Sequence, residues 1–461
     1  MHLKSARDLA LVAAFLAATP VQAQTFAVNG LVGVARVPSS ARDSQGETLG
    51  GFGSGMALVP GSWRRQGDQF TGSLAMLPDR GWNTQGTTDY RARLQYFDVA
   101  LTPQFTLTYR KSLLLTDAGG AVTTGLDPVS VSPASRGFPQ LPRAANGHIS
   151  MDSEAVALPR DGSIWVGEEY GPYIYHFDAG GKMIGAIRPP EAMIPRRDGA
   201  VNFSAGETAK GEPQSGRQNN QGMEGMSIAP KSGHLFAITQ SALVQDLDVA
   251  NPKASRRNVR LLEYDVRHKP VLIHEYVVQL PLYSDGTRSG VAAQSEMLAL
   301  SDHQLLLLCR DSGGGFTGKR DASAYRIINV IDTDGATDIA GKFDGPADSI
   351  APGGVLRPGI KPARLTPFLD INDNAQLARF GLHNGAPNDA NDLYEKWESM
   401  ALAPARDAKA PGDYFLFIGS DNDFITQDGM MAGKPYKDAS GANVDSLVLV
   451  YRVTLPGIDR R

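Results

Sequence analysis

One short pattern recurs five times along the 461-residue chain, and it constrains the fold more than any other feature. Each copy joins an acidic or small residue to an apolar strand, a tight turn, and a second apolar strand that ends in polar residues. The copies begin at residues 53–58, 153–158, 223–228, 295–300 and 397–402. Repetition of one supersecondary unit is typical of architectures assembled from similar modules.

The spacing of the copies predicts an all-β fold, a β-propeller of four-stranded blades with long inserted loops. Five repeat units are legible, and units of about 70 residues with insertions allow five to seven blades. Abundant turn residues, 50 Gly and 29 Pro, separate the short β-rich runs. A closed ring of sheets leaves only short, protected edges. We expect residues 26–37 and 447–453 to share one blade and close the ring.

The N-terminus has the pattern of a targeting segment. Basic residues precede a short apolar run at 9–18, and a small-x-small cleavage site ends at Ala23. The run is too short to remain as a membrane-spanning helix, and no later stretch reaches the length of a transmembrane segment. We predict a signal peptide at 1–23, a single propeller domain at 24–461, and a periplasmic or secreted location.

Charge and cysteine content exclude other classes. The chain has 45 Lys+Arg against 49 Asp+Glu, a formal net charge of −4. With no basic block, this balance argues against a nucleic-acid partner. The single cysteine, Cys309, rules out an intramolecular disulfide bond, and its apolar run predicts a buried strand residue.

Four copies of the pattern carry a glutamate at the start of the first strand, and these residues are Glu154, Glu224, Glu296 and Glu398. The first strands of propeller blades line the central channel, so the four carboxylates should lie on one face at one channel mouth. Packed like charges are costly unless protons or a cation neutralise them. A hard cation, Ca²⁺ before Mg²⁺, is the expected ligand. The alternative is that these glutamates cap strand ends by accepting hydrogen bonds from neighbouring backbone amides.

Further candidates follow the second strands, which return to the same rim. Glu169 and Asp311 are predicted as candidate general bases. Arg310 is predicted to bind the anion beside the reacting group, because a guanidinium matches phosphate geometry. Arg80 and Lys319, the latter in a Gly-rich loop, are predicted as further substrate-binding residues.

The ordered series of motifs resembles a known family. The segments 154–155, 162–172, 175–181, 219–226 and 396–400, together with the Glu296 unit, are similar to the phytase-like, esterase-like β-propeller family of secreted bacterial proteins. The resemblance runs from about Gly50 to Tyr451. It implies a propeller with acidic channel residues and a phosphoester or ester hydrolase activity supported by calcium.

Two function classes follow. The first is metal-assisted hydrolysis of a small anionic phosphate or carboxylic ester at the acidic channel mouth. The alternative is a non-catalytic periplasmic binding or scaffold propeller that holds structural calcium. Both classes need the same carboxylates, so the sequence leaves both open.

Overall fold

Five four-stranded antiparallel sheets surround a common axis in the computed structural model, which describes residues 25–101, 104–206 and 211–458. The protein is a five-bladed β-propeller, in agreement with the fold class predicted from the repeat. The signal peptide predicted at 1–23 lies outside the described residues. Among the described residues, no helix is long and apolar enough to cross a membrane.

Each blade runs from an inner strand beside the axis to an outer strand at the periphery. In that order, blade 1 contains Gly55–Leu58, Gln69–Leu77, Arg93–Leu101 and Phe105–Leu114, with Arg64–Gln66 added beside the second strand. Blade 2 contains Ser153–Ala157, Ile164–Glu168, Ile174–Phe177 and Met183–Ile187. Blade 3 contains Met223–Ile228, Leu235–Thr239, Asn258–Asp265 and Val271–Gln279. Blade 4 contains Ala293–Ala299, Gln304–Arg310, Arg326–Asp332 and Arg364–Asp370, and blade 5 contains Trp397–Pro404, Asp413–Ser420, Ser446–Thr454 and Ala27–Val37.

The loops carry short elements of their own. Two-stranded hairpins pair Ser130–Val131 with Pro142–Arg143, Arg196–Arg197 with Ala200–Val201, Leu282–Ser284 with Ser289–Val291, and Gly429–Met431 with Lys434–Tyr436. The described helices are the α-helical turns Pro252–Ser255 and Asn374–Leu377 and the 3₁₀ turns Glu191–Met193, Val244–Asp246, Pro352–Gly354 and Ala378–Phe380. Most of the long inserts are therefore irregular.

The N-terminal strand closes the ring, as the sequence predicts. Ala27–Val37 forms the outer strand of blade 5 and pairs antiparallel with Ser446–Thr454. The two ends of the described chain are thus held in one sheet.

Apolar side chains between facing blades form the core. Between blades 4 and 5, for example, Leu306, Trp397 and Leu449 are all fully buried in one cluster. Cys309 is also fully buried, in the cluster between blades 3 and 4, as its apolar run predicts. All five copies of the repeat form the inner strand and its neighbour, so the sequence pattern marks the wall of the channel.

Candidate metal and substrate site at the channel mouth

A β-bulge interrupts strand pairing at the start of the inner strand in blades 2 to 5. The pairing with the second strand skips Glu154, Glu224 and Glu398, and in blade 4 it skips Ser295, next to Glu296. Bulges bend a strand and re-aim its side chains, and they are frequent beside active sites. The bulge therefore gives Glu154, Glu224 and Glu398 a similar local backbone, whereas Glu296 is paired with Leu308.

Three of the four glutamates meet at one mouth. Glu154 and Glu398 both lie close enough to Glu224 to act on it electrostatically. Burial, followed by the charge of Glu224, raises the pKa of Glu154 well above its ordinary value. Burial, followed by the charge of Glu169, does the same to the pKa of Glu224. Gln240, at the end of the adjacent strand, donates to Glu224 Oε1 over 2.6 Å.

Glu296 has a different environment. Its carboxyl group lies near the backbone amides of Met56, Met226, Met297 and Met400, which belong to four different inner strands. The Met297 amide donates to Glu296 Oε1 over 2.7 Å. This bond is the strand-capping alternative, and amides of three further blades surround the same carboxyl group.

Two groups of three carboxylates have oxygens within 4.8 Å of one another among the described residues, and Asp79 belongs to both. The first group is Asp79, Asp152 and Glu154, and the second is Asp79, Asp421 and Asp423. Burial, followed by the charge of Asp421, raises the pKa of Asp79 well above its ordinary value. Both groups therefore favour a bound proton or a cation.

Lys396 already supplies a cation to the second group. Its Nζ lies 2.7 Å from Asp421 Oδ2, 2.8 Å from Asp423 Oδ1 and 3.3 Å from Glu398 Oε2. Ser54, which replaces glutamate in the first repeat, places its hydroxyl 3.3 Å from Asp421 Oδ2. The ammonium group thus occupies the position between three carboxylates that a metal ion would otherwise take.

Asp152, in the first group, is less well satisfied. Arg80 Nη1 lies 3.0 Å from Asp152 Oδ2, and the Arg80 guanidinium lies over the Tyr170 ring. The angles of this ion pair do not make it a hydrogen bond, and within the described ranges neither Asp152 oxygen has a hydrogen-bond donor. Because Asp152 is almost fully buried, these acceptors are costly to leave unpaired.

Arg310 connects blades 4 and 5. The sequence predicts it beside Glu296 of its own blade, but its guanidinium donates to Glu398 of the next blade. The register explains the difference, because Arg310 pairs with Ala293 at the end of the sheet, three residues from Glu296. Its side chain is 10% exposed, so it borders the mouth.

The carboxyl groups of Glu169 and Glu224 lie close together, and each has a buried oxygen without a hydrogen-bond donor. One proton between the two groups would join them by a hydrogen bond. Burial, followed by the charge of Asp152, raises the pKa of Glu169 to about 7. The Gly222 amide donates to Glu169 Oε1 over 2.9 Å, and a Cβ at Gly222 would lie only 2.5 Å from Glu169 Cα. Glycine is therefore required for this approach.

Asp311 and Lys319 lie outside the two carboxylate groups. Asp311 accepts hydrogen bonds from the Ser323 hydroxyl at 2.5 Å and the Ala324 amide at 3.1 Å, so it organises the loop that follows its strand. Lys319 is exposed on that loop. Glu169 is thus the predicted base that faces the buried carboxylates.

Three site residues were not predicted from the sequence as ligands or counterions: Asp79, Asp152 and Lys396. Asp152 and Lys396 both stand two residues before a repeat glutamate, in Asp-Ser-Glu and Lys-Trp-Glu. Asp79 follows the second strand of blade 1, as Asp421 does in blade 5. The signal for Asp152 and Lys396 is therefore the residue two positions before a repeat glutamate, and the signal for Asp79 is the acidic residue that follows the second strand.

We expect the metal-free protein to lose stability as the pH rises from about 5 to about 8. Burial raises the pKa of Asp421 and Glu169 to about 7 and that of Glu168 to about 8. Between these values and the ordinary range near 4, the folded state binds more protons than the unfolded state, so stability falls with pH. Carboxyl groups whose pKa is lowered in the folded protein, such as Asp285, change its stability only at lower pH. Thermal melts in chelator across this range test the expectation, and a melting temperature that rises with pH would contradict it.

Comparison with known proteins identifies a matching family, a relative of similar sequence, and solved structures with much lower sequence identity to this chain. The family model "Phytase-like: Esterase-like activity of phytase" matches residues 48–424. An "Uncharacterized secreted protein" of Arthroderma benhamiae is 40% identical over 462 residues, covering 89% of this chain and 90% of the relative. The Malassezia sympodialis allergen Mala s 1 has a TM-score of 0.31 at 11% identity, covering 86% of this chain and 82% of its own. An N-acetylgalactosamine deacetylase from F. plautii has a TM-score of 0.35 at 8% identity, covering 93% and 95%.

Proposed function

This chain belongs to the phytase-like family, and from that premise we propose that its acidic channel mouth uses a divalent cation, Ca²⁺ before Mg²⁺, to hydrolyse a small anionic ester. The observation that carries the proposal is the buried group Asp79, Asp152 and Glu154, whose oxygens lie within 4.8 Å of one another. Three hard oxygen donors of this kind suit Ca²⁺.

The proposed ligand set keeps Glu154 and replaces the other three predicted glutamates. Glu296 is engaged by backbone amides, Glu398 by Arg310 and Lys396, and Glu224 by Gln240. Asp79 and Asp152 take their place. Asp152 supports this choice, because its two buried oxygens have one ion pair, from Arg80 to Oδ2, and no hydrogen bond, so Oδ1 can bind a cation.

When bound, the cation would polarise an ester oxygen and lower the pKa of a water molecule. The chain supplies the remaining functions. Arg80 and Arg310, with side chains 13% and 10% exposed, border the mouth and hold the anionic group of the substrate. Glu169 accepts the proton of the attacking water, since a base with a pKa of about 7 is half ionised near neutral pH. Glu224 keeps Glu169 in position through the shared proton.

We also propose that the protein is secreted. The curated relative is named a secreted protein, and residues 1–23 have the pattern of a signal peptide. The periplasm is the corresponding location if the host has two membranes. Mass spectrometry of the N-terminus of the exported protein tests the cleavage after Ala23.

Hydrolysis is tested with p-nitrophenyl phosphate, its diester, and p-nitrophenyl acetate, each assayed with Ca²⁺, with Mg²⁺ and with a chelator. We expect turnover of an anionic ester that the chelator removes, and a loss of about a hundredfold or more in kcat/KM for Asp152→Asn and Glu154→Gln. Asp98→Asn is the matched control, because Asp98 is an exposed carboxylate on blade 1. Activity that survives both chelation and the two substitutions would refute a cation held by this group.

The scaffold alternative has one observation in its favour. Several carboxylates of the mouth already have partners within the protein, Glu296 in a backbone amide and Asp421 and Asp423 in Lys396. If this alternative holds, Ca²⁺ raises the melting temperature but no ester of the panel is turned over. Binding without turnover therefore separates the two functions.

A further inference from the structure

The channel has a second mouth with different chemistry. A cavity of about 1010 Å³ opens at the end where the inner strands finish. Each blade contributes one half-buried aliphatic side chain at the end of its inner strand to the wall, namely Leu58, Leu158, Ile228, Leu298 and Leu402. Glu154, Glu224 and Glu398 lie at the start of the same strands, four residues or about 13 Å away, and Glu296 lies two residues from Leu298. The cavity is therefore an apolar funnel on the opposite face of the propeller.

The funnel is separated from the acidic mouth on the axis. Met56, Met226, Met297 and Met400 line its inner end, and the carboxyl group of Glu296 lies near their backbone amides. A molecule in the funnel thus meets methionine and aliphatic surface. Flexible methionine side chains adapt to apolar ligands of different shape.

The rim of the funnel carries two guanidinium groups without a carboxylate partner. Arg160 and Arg406 are exposed, and within the described ranges no carboxylate lies at ion-pair distance from either. Of the other charged lining residues, Arg267 pairs with Asp265, Asp407 pairs with Arg452, and Asp161 accepts from Ser163. Three arginines against two aspartates give the lining a net charge of +1, and Arg406 uses one N–H on the Trp63 carbonyl. The remaining donors of Arg160 and Arg406 can bind an anionic group.

We infer that the funnel binds an anionic amphiphile of the fatty-acid class, with its aliphatic chain among the five inner-strand side chains and its carboxylate at Arg160 and Arg406. Such a ligand matches both observations at once, an apolar interior and a cationic rim. A neutral apolar ligand would leave the guanidinium groups unused, and a small polar anion would leave the aliphatic wall exposed.

Calorimetric titration of the full chain with octanoate, decanoate and dodecanoate tests the inference. We expect affinity to increase about fourfold per added methylene, the equivalent of about 0.8 kcal/mol. The double reversal Arg160→Glu with Arg406→Glu should weaken decanoate binding about tenfold while leaving 1-decanol binding unchanged. Both positions are exposed, and the side-chain hydrogen bond that the reversal removes is the one from Arg406 to the Trp63 carbonyl.

Two further measurements make the outcome decisive. Lys253→Glu with Arg110→Glu, a reversal of exposed charges elsewhere, should not change decanoate binding. Ile228→Phe fills part of the funnel and should weaken the longest chain most. The inference is overturned if dodecanoate does not bind at about 1 mM, if affinity is independent of chain length, or if sedimentation shows that a second copy of the chain covers the funnel and excludes the ligand.

Discussion

Replacing Glu296 by Leu should lower the free energy of unfolding by about 1 to 3 kcal/mol, because it leaves the buried Met297 amide without its acceptor and removes the carboxyl group from beside the amides of three further inner strands. Each buried donor that loses its partner costs about 1 to 3 kcal/mol. Urea denaturation followed by tryptophan fluorescence measures the change. A variant that fails to fold is the extreme form of the same result.

Two glutamine substitutions control for the loss of charge. Glu296→Gln keeps one amide oxygen as an acceptor, so it should cost less than the Leu variant. Glu224→Gln, at the same repeat position of blade 3, removes a carboxyl group that accepts from the Gln240 side chain and not from the inner-strand amides. If Glu296→Leu were as stable as Glu224→Gln, the Glu296 carboxyl group would not stabilise the inner strands through the amides around it.

The difference between Glu296 and its counterparts has a cause that is visible in the sequence. In blades 3 and 5 one residue separates the glutamate from the methionine that follows, as in Glu224-Gly225-Met226. In blade 4 none does, since Met297 directly follows Glu296. Glu296 therefore sits one residue closer to the methionine amides. The repeat predicts that the four glutamates share one position. The register of the bulge shows that Glu296 is shifted by one residue, which brings its carboxyl group to the methionine amides.

The fold was more predictable than the site for a related reason. The inner strands repeat along the sequence, so their apolar pattern is sufficient to predict them. The closing strand is also an apolar run, and it is predicted because a closed ring pairs the two ends of the chain in one sheet. The site depends on residues in the loops before and after the strands. Asp152 and Lys396 occupy equivalent repeat positions with opposite charge, and which carboxylates each one faces is set by loop paths that carry no periodic signal.

Lys396→Met should destabilise the cation-free protein by about 3 to 5 kcal/mol at about pH 8, because it leaves Asp421, Asp423 and Glu398 as buried carboxylates without their ammonium partner. The loss should be smaller at about pH 5. Lys396 lowers the pKa of Asp421, which burial raises to about 7, so without the lysine the carboxyl groups take up protons more readily. Thermal melts and urea denaturation at both pH values measure the effect.

The same substitution distinguishes an internal cation from a bound one. Asp79, Asp421 and Asp423 already place their oxygens within 4.8 Å of one another, so removal of the ammonium group makes this group available to Ca²⁺. Added Ca²⁺ should therefore stabilise Lys396→Met more than it stabilises the wild-type protein, and Lys434→Met, at an exposed position, should respond as wild type does. Equal stabilisation of all three proteins would mean that Lys396 does not occupy a cation position. A larger response in Lys396→Met would show that this propeller uses a lysine side chain where its acidic channel could otherwise hold a second metal ion.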